Sequence, residues 1–239
     1  MPLPEVAFVA GATGYTGREV VRVCCERGIR TVAHVRPDSS RLDEWRERFE
    51  GHGAEIDTTA WEEDAMAASL ERMQPNFVFG LLGTTRARAN RDAKHGADST
   101  YEAVDYGLTA LLIRCAERLQ PPEKRPRFVY LSAANAANGG PSNYATARWK
   151  VERDLKDGSV PYVIARPSFI TGADRDGRSM ERFGASVAGG ALALVGAFGG
   201  RVFRDRYRAI SGSDLAEALV RLARDPDAEG GTFYSDQLR

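Results

Sequence analysis

The sequence predicts an α/β protein built on a doubly wound parallel sheet, with helices on both faces. Short apolar runs alternate with longer stretches of helical character, which is typical of successive βαβ units. A glycine-rich segment directly follows the first apolar run, where such folds turn from a strand into a helix. The 239 residues are enough for one large domain, which would bury roughly 70% of the surface of its unfolded chain.

The order of the elements follows from this alternation. Strands are predicted at residues 6–10, 31–35, 54–56, 77–82, 128–132 and 162–165, with a final short strand at 233–234. Helices are predicted at residues 17–27, 61–73, 99–119 and 143–156, with a last helix from 213 or 214 to about 224. We expect one domain over residues 1–239, in which residues 168–210 form a small C-terminal lobe on the substrate side.

Composition excludes several functional classes. The 33 basic residues balance the 33 acidic ones, which argues against a dedicated nucleic-acid binder. The three cysteines form neither a C-x-x-C pair nor a zinc-ligand pattern, so reduced thiols are expected. Residues 183–200 are uncharged but short and rich in glycine, which disfavours a membrane span. With no secretion signal at the N-terminus, we expect a soluble cytoplasmic protein that binds neither nucleic acid nor membranes.

The segment after the first strand reads Gly-Ala-Thr-Gly-Tyr-Thr-Gly. Gly11 permits the tight turn, Gly14 allows a pyrophosphate close to the backbone, and Gly17 allows close packing of helix and sheet. The following helix would direct its free N–H groups and partial positive charge at the phosphates. The alternative is a purely structural turn. The predicted nucleotide contacts are Gly11, Thr13, Gly14, Tyr15, Thr16 and Gly17.

The G-x-x-G-x-x-G spacing resembles that of the extended and atypical short-chain dehydrogenase/reductase superfamily. The Leu-Gly-Thr-Thr-Arg string from Leu82 to Arg86 is similar to the Tat-interacting-protein-like and NmrA-like subgroup. This resemblance implies a Rossmann-like fold that binds a nicotinamide dinucleotide. It also implies that Leu82, Gly83 and Thr84 lie along the cofactor, where Gly83 lets the cofactor pass close to the backbone.

The residue after the second strand discriminates between cofactors in this superfamily. An acidic residue there binds the ribose 2′-hydroxyl, whereas an arginine accommodates a 2′-phosphate. Arg36 falls at that place, which favours NADP(H) over NAD(H). Ser39, Ser40 and Arg41 would add donors, while Asp38 would oppose the phosphate. The alternative is that Arg36 is an ordinary solvated arginine.

The superfamily's catalytic residues are Ser, Tyr and Lys, with the last two spaced Y-x-x-x-K. Ser132 ends the fifth strand and would polarise a carbonyl, and Tyr144 would donate the proton. Arg148 occupies the lysine position, so it would hold the ribose and favour the phenolate as a delocalised cation that does not exchange protons. Lys150 lies six residues from Tyr144 and faces another side of the helix. Structural alternatives are a strand-end hydroxyl, a packed aromatic ring and a surface ion pair between Arg148 and Glu152.

The end of the sixth strand resembles the superfamily's Arg-Pro-x-x-x-x-Gly segment. Arg166, Pro167 and Gly172 match that pattern. The resemblance implies that this backbone lines the nicotinamide, with Phe169 and Ile170 packed on the ring. The alternative is an ordinary strand-to-loop turn.

A basic stretch follows the fourth strand. It contains Arg86, Arg88, Arg91 and Lys94, which would contact an anionic substrate or a partner, or would form a solvated face. Neither the substrate nor the oligomeric state is specified by a motif.

These residues support two leading hypotheses. The first is an NADP(H)-dependent oxidoreductase that transfers hydride to or from a small carbonyl or activated alkene. The second is a catalytically weak NADP(H)-binding regulator that senses redox state and acts through a protein partner, because Arg148 replaces the lysine. An epimerase or dehydratase with tightly held NAD is disfavoured by Arg36 and by the short chain.

Overall fold

A computed structural model describes residues 4–84, 100–140, 142–171 and 209–239 of the chain. Within these residues, seven parallel strands form one sheet in the order β3-β2-β1-β4-β5-β6-β9, and β7 and β8 form a separate parallel pair. The strands are β1 Val6–Ala10, β2 Arg30–His34, β3 Glu55–Asp57, β4 Phe77–Gly80, β5 Arg127–Leu131, β6 Tyr162–Arg166, β7 Ile170–Thr171, β8 Ile210–Ser211 and β9 Thr232–Tyr234.

The described helices connect these strands. The α-helices are α1 Tyr15–Glu26, α2 Leu42–Glu50, α3 Glu63–Met73, α4 Thr109–Glu117, α5 Asn143–Asp157 and α6 Gly212–Arg224. A π-helix at Tyr101–Leu108 runs directly into α4, and 3-10 turns span Pro122–Lys124, Ala134–Gly139 and Pro226–Ala228. No described helix is both long enough and apolar enough to cross a bilayer.

The sheet is buried on both faces, as the sequence predicts. One apolar cluster packs α1, α2 and α6 on the sheet, and a second cluster packs α3, α4 and α5 on the opposite face. Strand β1 is fully buried along its length because it receives helices from both sides. This confirms the Rossmann-like α/β fold class.

The strand order reverses at β1. Val9 is in register with Ala33 of β2 on one side and with Phe79 of β4 on the other. Because the chain leaves the sheet in opposite directions on the two sides of this point, a crevice opens at the carboxyl ends of β1 and β4. Ligands of doubly wound folds bind in that crevice, so the fold places the glycine segment at its mouth.

Two elements differ from the sequence prediction. Helix α2 was not predicted, although its Trp45 and Phe49 are buried against the sheet. The predicted helix at 99–119 begins as the π-helix and continues as α4, which shifts its side chains relative to regular helical spacing. The basic stretch at 86–94, Gly172 and most of the predicted C-terminal lobe lie outside the described residues.

Candidate dinucleotide site

The glycine segment forms the turn from β1 into α1. Gly11 has φ +84°, and a Cβ there would lie 2.5 Å from the carbonyl oxygen of Leu81. A Cβ on Gly17 would lie 2.1 Å from the carbonyl oxygen of Gly11, which no side chain can tolerate. Gly14 is exposed, and a Cβ there would lie 3.2 Å from Gly11 O. The fold itself therefore requires Gly11 and Gly17, whereas Gly14 faces outward.

The N-terminus of α1 is suited to an anion. Its N-cap residue is Gly14, which has no side-chain oxygen to occupy the first N–H groups. The first turn carries no acidic residue, so the helix dipole leaves this end positive. Thr13 is half-buried in the turn and Thr16 is buried behind it. Backbone donors and dipole together suit this end of α1 to an anion, and the binding of a diphosphate there stays a prediction.

Tyr15 joins this segment to the next part of the crevice. Its hydroxyl donates a 3.0 Å hydrogen bond to the carbonyl oxygen of Thr171 in β7. A Cβ on Gly212, the first residue of α6, would lie 2.4 Å from the Tyr15 ring. The side chain of Tyr15 therefore packs against β7 and the first residue of α6, while its backbone stays at the start of α1.

Arg36 lies two residues beyond β2, on the adenosine side of the crevice. Its side chain is 47% exposed, and its guanidinium lies 3.5 Å from the carboxylate of Asp38, whose side chain is 72% exposed. A contact of that length between two solvated groups holds the arginine only weakly. Arg36 is therefore available to a ligand anion, although Asp38 shares its surroundings.

The chain after β4 is anchored by Asp105 of the π-helix. The backbone N–H of Thr84 donates to Asp105 Oδ2 at 2.9 Å, and Arg148 Nη2 donates to Asp105 Oδ1 at 2.9 Å. Burial raises the pKa of Asp105, while Arg148 and the Thr84 N–H oppose that rise. Leu82 is buried and Gly83 is exposed, so the backbone of this segment forms the floor of the crevice.

Arg148 is a buried cation that ties the ends of two strands together. Its Nη2 also donates to the carbonyl oxygen of Leu82 at 3.1 Å, and its Nη1 donates to the carbonyl oxygen of Leu131. The residue is 6% exposed, so the alternative of a surface pair between Arg148 and Glu152 is wrong. Its guanidinium is held by protein groups at the place expected to face a ribose.

Tyr144 lies beside Arg148 on the first turn of α5, as the four-residue spacing predicts. The guanidinium carbon of Arg148 is 5.2 Å from the centre of the Tyr144 ring. Tyr101 of the π-helix packs edge-on against the same ring, with the ring centres 5.4 Å apart. Tyr144 is half-buried at the carboxyl edge of the sheet. Its role as a proton donor stays a prediction.

Ser132 turns toward the protein interior. Its hydroxyl donates to Glu152 Oε1 at 2.5 Å, and the serine is 3% exposed. Arg166 holds the same carboxylate through its Nε at 2.8 Å and through its Nη2. Arg166 also donates to the Tyr234 hydroxyl at 2.6 Å. In this geometry the Ser132 hydroxyl donates its hydrogen bond to Glu152 rather than into the crevice. The role of Ser132 toward a substrate stays a prediction.

The segment after β6 lies at the same edge of the sheet. The carbonyl oxygen of Pro167 accepts from the Ala134 N–H at 3.1 Å, and that of Phe169 accepts from the Ile210 N–H at 2.8 Å. Ile170 belongs to β7, and both Phe169 and Ile170 are half-buried. These residues lie at the carboxyl ends of the strands, and the contact with a nicotinamide that the superfamily resemblance implies for them stays a prediction.

Several polar atoms near this edge are buried without a hydrogen-bond partner among the described residues. They include Thr84 Oγ1 and Arg148 Nε. Buried polar groups are normally satisfied, so these atoms mark a place where water or a ligand belongs. Together with the open helix N-terminus, they fit a bound dinucleotide. The described residues contain no cluster of His, Cys, Asp or Glu that could hold a metal ion.

Sequence reasoning missed Asp105 and Glu152 as partners in the site. Glu152 follows Arg148 by four residues, so helical spacing suggested an ion pair between these two. The structure pairs Glu152 with Arg166 instead. For Asp105 no local pattern was available, because its partner lies 43 residues away.

A glycine-rich turn at the switch point of a parallel sheet is typical of dinucleotide-binding α/β proteins. Comparison with known families makes this more specific: residues 7–234 match the NAD dependent epimerase/dehydratase family, and the chain belongs to it.

Individual relatives are distant. The chain is 25% identical to the mitochondrial protein FMP52 of Debaryomyces hansenii, over 94% of this chain and 90% of that protein. It is also 25% identical to subunit 9 of the NADH dehydrogenase [ubiquinone] 1 alpha subcomplex of Mus musculus, covering 95% of this chain but 55% of the mouse protein. UDP-glucose 4-epimerase of Thermotoga maritima shares the fold, with a TM-score of 0.64, 16% identity, and coverage of 95% of this chain and 75% of the epimerase.

Proposed function

We propose that this chain is an NADP(H)-dependent oxidoreductase acting on a small carbonyl compound or an activated alkene. The observation that carries the proposal is the contact between Tyr144 and Arg148 at the carboxyl edge of the sheet, with 5.2 Å between ring centre and guanidinium carbon. The same edge holds the open N-terminus of α1 behind Gly14. A proton donor and a diphosphate site on one edge are the two parts that dinucleotide-dependent reduction requires.

The residues of the chain have distinct tasks in this proposal. When bound, the dinucleotide supplies or accepts the hydride. The N–H groups at the start of α1 bind its diphosphate, and Gly14 lets the phosphates approach the backbone. Tyr144 donates a proton to the substrate oxygen, and the nearby guanidinium of Arg148 stabilises the charge left on the ring oxygen. Phe169 and Ile170 exclude water from one side of the nicotinamide.

The preference for NADP(H) rests on Arg36. A guanidinium is suited to bidentate binding of a phosphate, and this one is exposed with a long contact to Asp38. A 2′-phosphate would compete with Asp38 for the arginine. We therefore expect NADPH to bind more tightly than NADH.

The proposal is tested by turnover and by one matched pair of variants. NADPH consumption is measured across aldehydes, ketones, quinones and enones. Tyr144→Phe should abolish the activity found, while Tyr162→Phe, at the opposite end of the sheet in β6, should retain it. Undiminished turnover by Tyr144→Phe would contradict the role of Tyr144.

A second function is favoured by the buried environment of Arg148. Its two terminal nitrogens are occupied by Asp105, Leu82 and Leu131, and Ser132 is occupied by Glu152. A site with its catalytic groups engaged by the protein suits a regulator that binds NADP(H) and signals to a partner. The name of the mouse relative, a subunit of an NADH dehydrogenase subcomplex, supports a protein partner.

The two functions predict different turnover for the Arg148→Lys variant. In an oxidoreductase, Arg148→Lys supplies the usual cation of the superfamily and should retain or increase turnover. In a regulator, NADPH binds tightly, no substrate is consumed, and Arg148→Lys gains no activity.

A further inference from the structure

Asp105 and Arg148 cancel each other's charge directly beneath the crevice. We propose that Asp105 sets the preference of this site between oxidised and reduced dinucleotide, because its carboxylate neutralises the Arg148 guanidinium. This inference rests on the proposed binding of NADP(H), and it assigns a specificity-determining role to a residue that touches no part of the ligand.

The pair is buried and fully engaged. Asp105 is 0% exposed, and each of its carboxylate oxygens accepts one hydrogen bond of 2.9 Å, from Arg148 Nη2 and from the Thr84 N–H. Arg148 is 6% exposed and is anchored to the carbonyl oxygens of Leu82 and Leu131. Two donors on the carboxylate and a guanidinium that stays protonated favour the ionised pair, whose net charge is zero.

The pair lies immediately below the crevice floor. A Cβ on Gly83 would lie 2.9 Å from Arg148 Nη2 and 3.5 Å from Asp105 Oδ1, so the backbone of Gly83 alone covers these groups on that side. Gly83 is itself exposed, at the carboxyl ends of the strands. A charge left uncompensated here would act on whatever lies over Gly83.

The other described groups around the pair add no net charge. Tyr130 and Tyr144 face the guanidinium with ring centres at 5.7 and 5.2 Å, and burial raises the pKa of Tyr130. The next buried charges, Glu152 and Arg166, form their own ion pair. The sign of the local field therefore depends on whether Asp105 balances Arg148.

Oxidised and reduced dinucleotides differ chiefly in one charge. The nicotinamide ring is cationic when oxidised and neutral when reduced, while the adenosine and phosphate groups are identical. An unbalanced Arg148 would repel the oxidised ring and leave the reduced ring unaffected. At an effective dielectric constant of about 20, Coulomb's law makes a discrimination on the order of tenfold the expected effect of one unpaired charge near the ring.

The test compares dissociation constants of NADP⁺ and NADPH by calorimetry at pH 8, and needs no substrate. Asp105→Asn leaves Arg148 unbalanced and should raise the ratio of the NADP⁺ constant to the NADPH constant about tenfold. Arg148→Gln leaves the carboxylate without its cation and should lower the ratio by up to a similar factor, more at pH 9 than at pH 8, because burial raises the pKa of this carboxyl and the higher pH favours its ionised form. Glu102→Gln, which removes one exposed carboxylate from the same π-helix, should leave the ratio unchanged.

The double variant Asp105→Asn/Arg148→Gln separates charge from damage to the fold. Because it is neutral like the native pair, its ratio should return to the native value. Opposite shifts in the two single variants and recovery in the double one would support the inference. Shifts of the same sign, or ratios equal to that of the native protein, would overturn it.

The same measurements distinguish this inference from the proposed function. If the native protein binds both dinucleotides but reduces no substrate, the oxidoreductase proposal fails while the ratio still tests Asp105. If Asp105→Asn does not fold, Arg148→Gln alone decides by the direction of its shift. Absence of binding by the native protein overturns both.

Discussion

The hydroxyl of Ser132 donates a 2.5 Å hydrogen bond to the carboxylate of Glu152, and both residues are almost wholly buried. This contact joins the end of β5 to the middle of α5, and Arg166 extends it to β6. Three elements that carry predicted site residues are therefore held by one carboxylate. The arrangement gives Glu152 a structural task that can be measured without knowledge of the substrate.

Replacing Glu152 by Gln should destabilise the fold strongly. The change leaves the buried guanidinium of Arg166 without its charged partner, and breaking a buried pair in this way costs about 3–5 kcal/mol. Ser132→Ala removes a hydrogen bond but leaves no charge unpaired, so its cost should be about 1–3 kcal/mol. Urea denaturation measures both. Glu44→Gln, at an exposed pair with Arg41, is the control, and equal stability of the Glu152 and Glu44 variants would contradict this role.

The glycines of the first turn should separate into two classes. Gly17→Ala places a methyl group 2.1 Å from Gly11 O, so the variant should lose several kcal/mol of stability or fail to fold. Gly14→Ala meets the same oxygen at 3.2 Å and should fold, yet it should weaken NADPH binding because its methyl group projects toward the phosphates. Thermal melting and calorimetry measure the two effects. Normal affinity in Gly14→Ala would show that no diphosphate approaches this residue.

Replacing Arg36 by Ala should reduce the preference for NADPH over NADH. A charge-assisted contact to phosphate contributes about 1.5–3 kcal/mol, which corresponds to a loss of roughly 10- to 150-fold in NADPH affinity. NADH affinity should change little. Arg46→Ala removes an exposed arginine of α2 that pairs with Glu50, and it should alter neither constant. An equal loss for both dinucleotides in Arg36→Ala would argue against a 2′-phosphate contact.

The fold should lose stability in mild acid through His34. Burial lowers the pKa of His34, although the Thr59 carbonyl and Asp57 oppose this. The unfolded chain therefore takes up the proton first, so stability is complete above the unfolded pKa of about 6.5 and falls as the pH drops below it. The loss is about 1.4 kcal/mol for each unit by which the two pKa values differ.

Melting temperatures from pH 8 to pH 5 test this dependence. His34→Gln should show a flatter profile than the native protein. His52→Gln replaces an exposed histidine and should keep the native profile. A native slope that survives in His34→Gln would assign the acid sensitivity to other groups.

The parts of the molecule that the sequence predicts are those with a local cause. Alternation of apolar runs and helices specified the buried parallel sheet, and the spacing of Gly11 and Gly17 specified the turn at its centre. The four-residue interval between Tyr144 and Arg148 placed these residues together, because one helical turn brings such positions to one face.

The remainder depends on contacts between distant parts of the chain. Asp105 and Arg148 are 43 residues apart, and the π-helix that carries Asp105 breaks the regular spacing from which a facing side chain could be deduced. The direction of the Ser132 hydroxyl likewise depends on Glu152, whose partner was assigned from helical spacing alone. The Asp105–Arg148 pair and the direction of the Ser132 hydroxyl both depend on residues that are close in space but distant in the sequence.

Because Gly83 and Arg148 lie so close together, the side chain at one position limits which side chain fits at the other. A Cβ at residue 83 would lie 2.9 Å from a guanidinium nitrogen that three acceptors hold in place, so either the side chain of Arg148 or the backbone of residue 83 would have to shift. A shorter cation at residue 148 would lift that restriction. Gly83→Ala should therefore be tolerated better in an Arg148→Lys background than in the native protein.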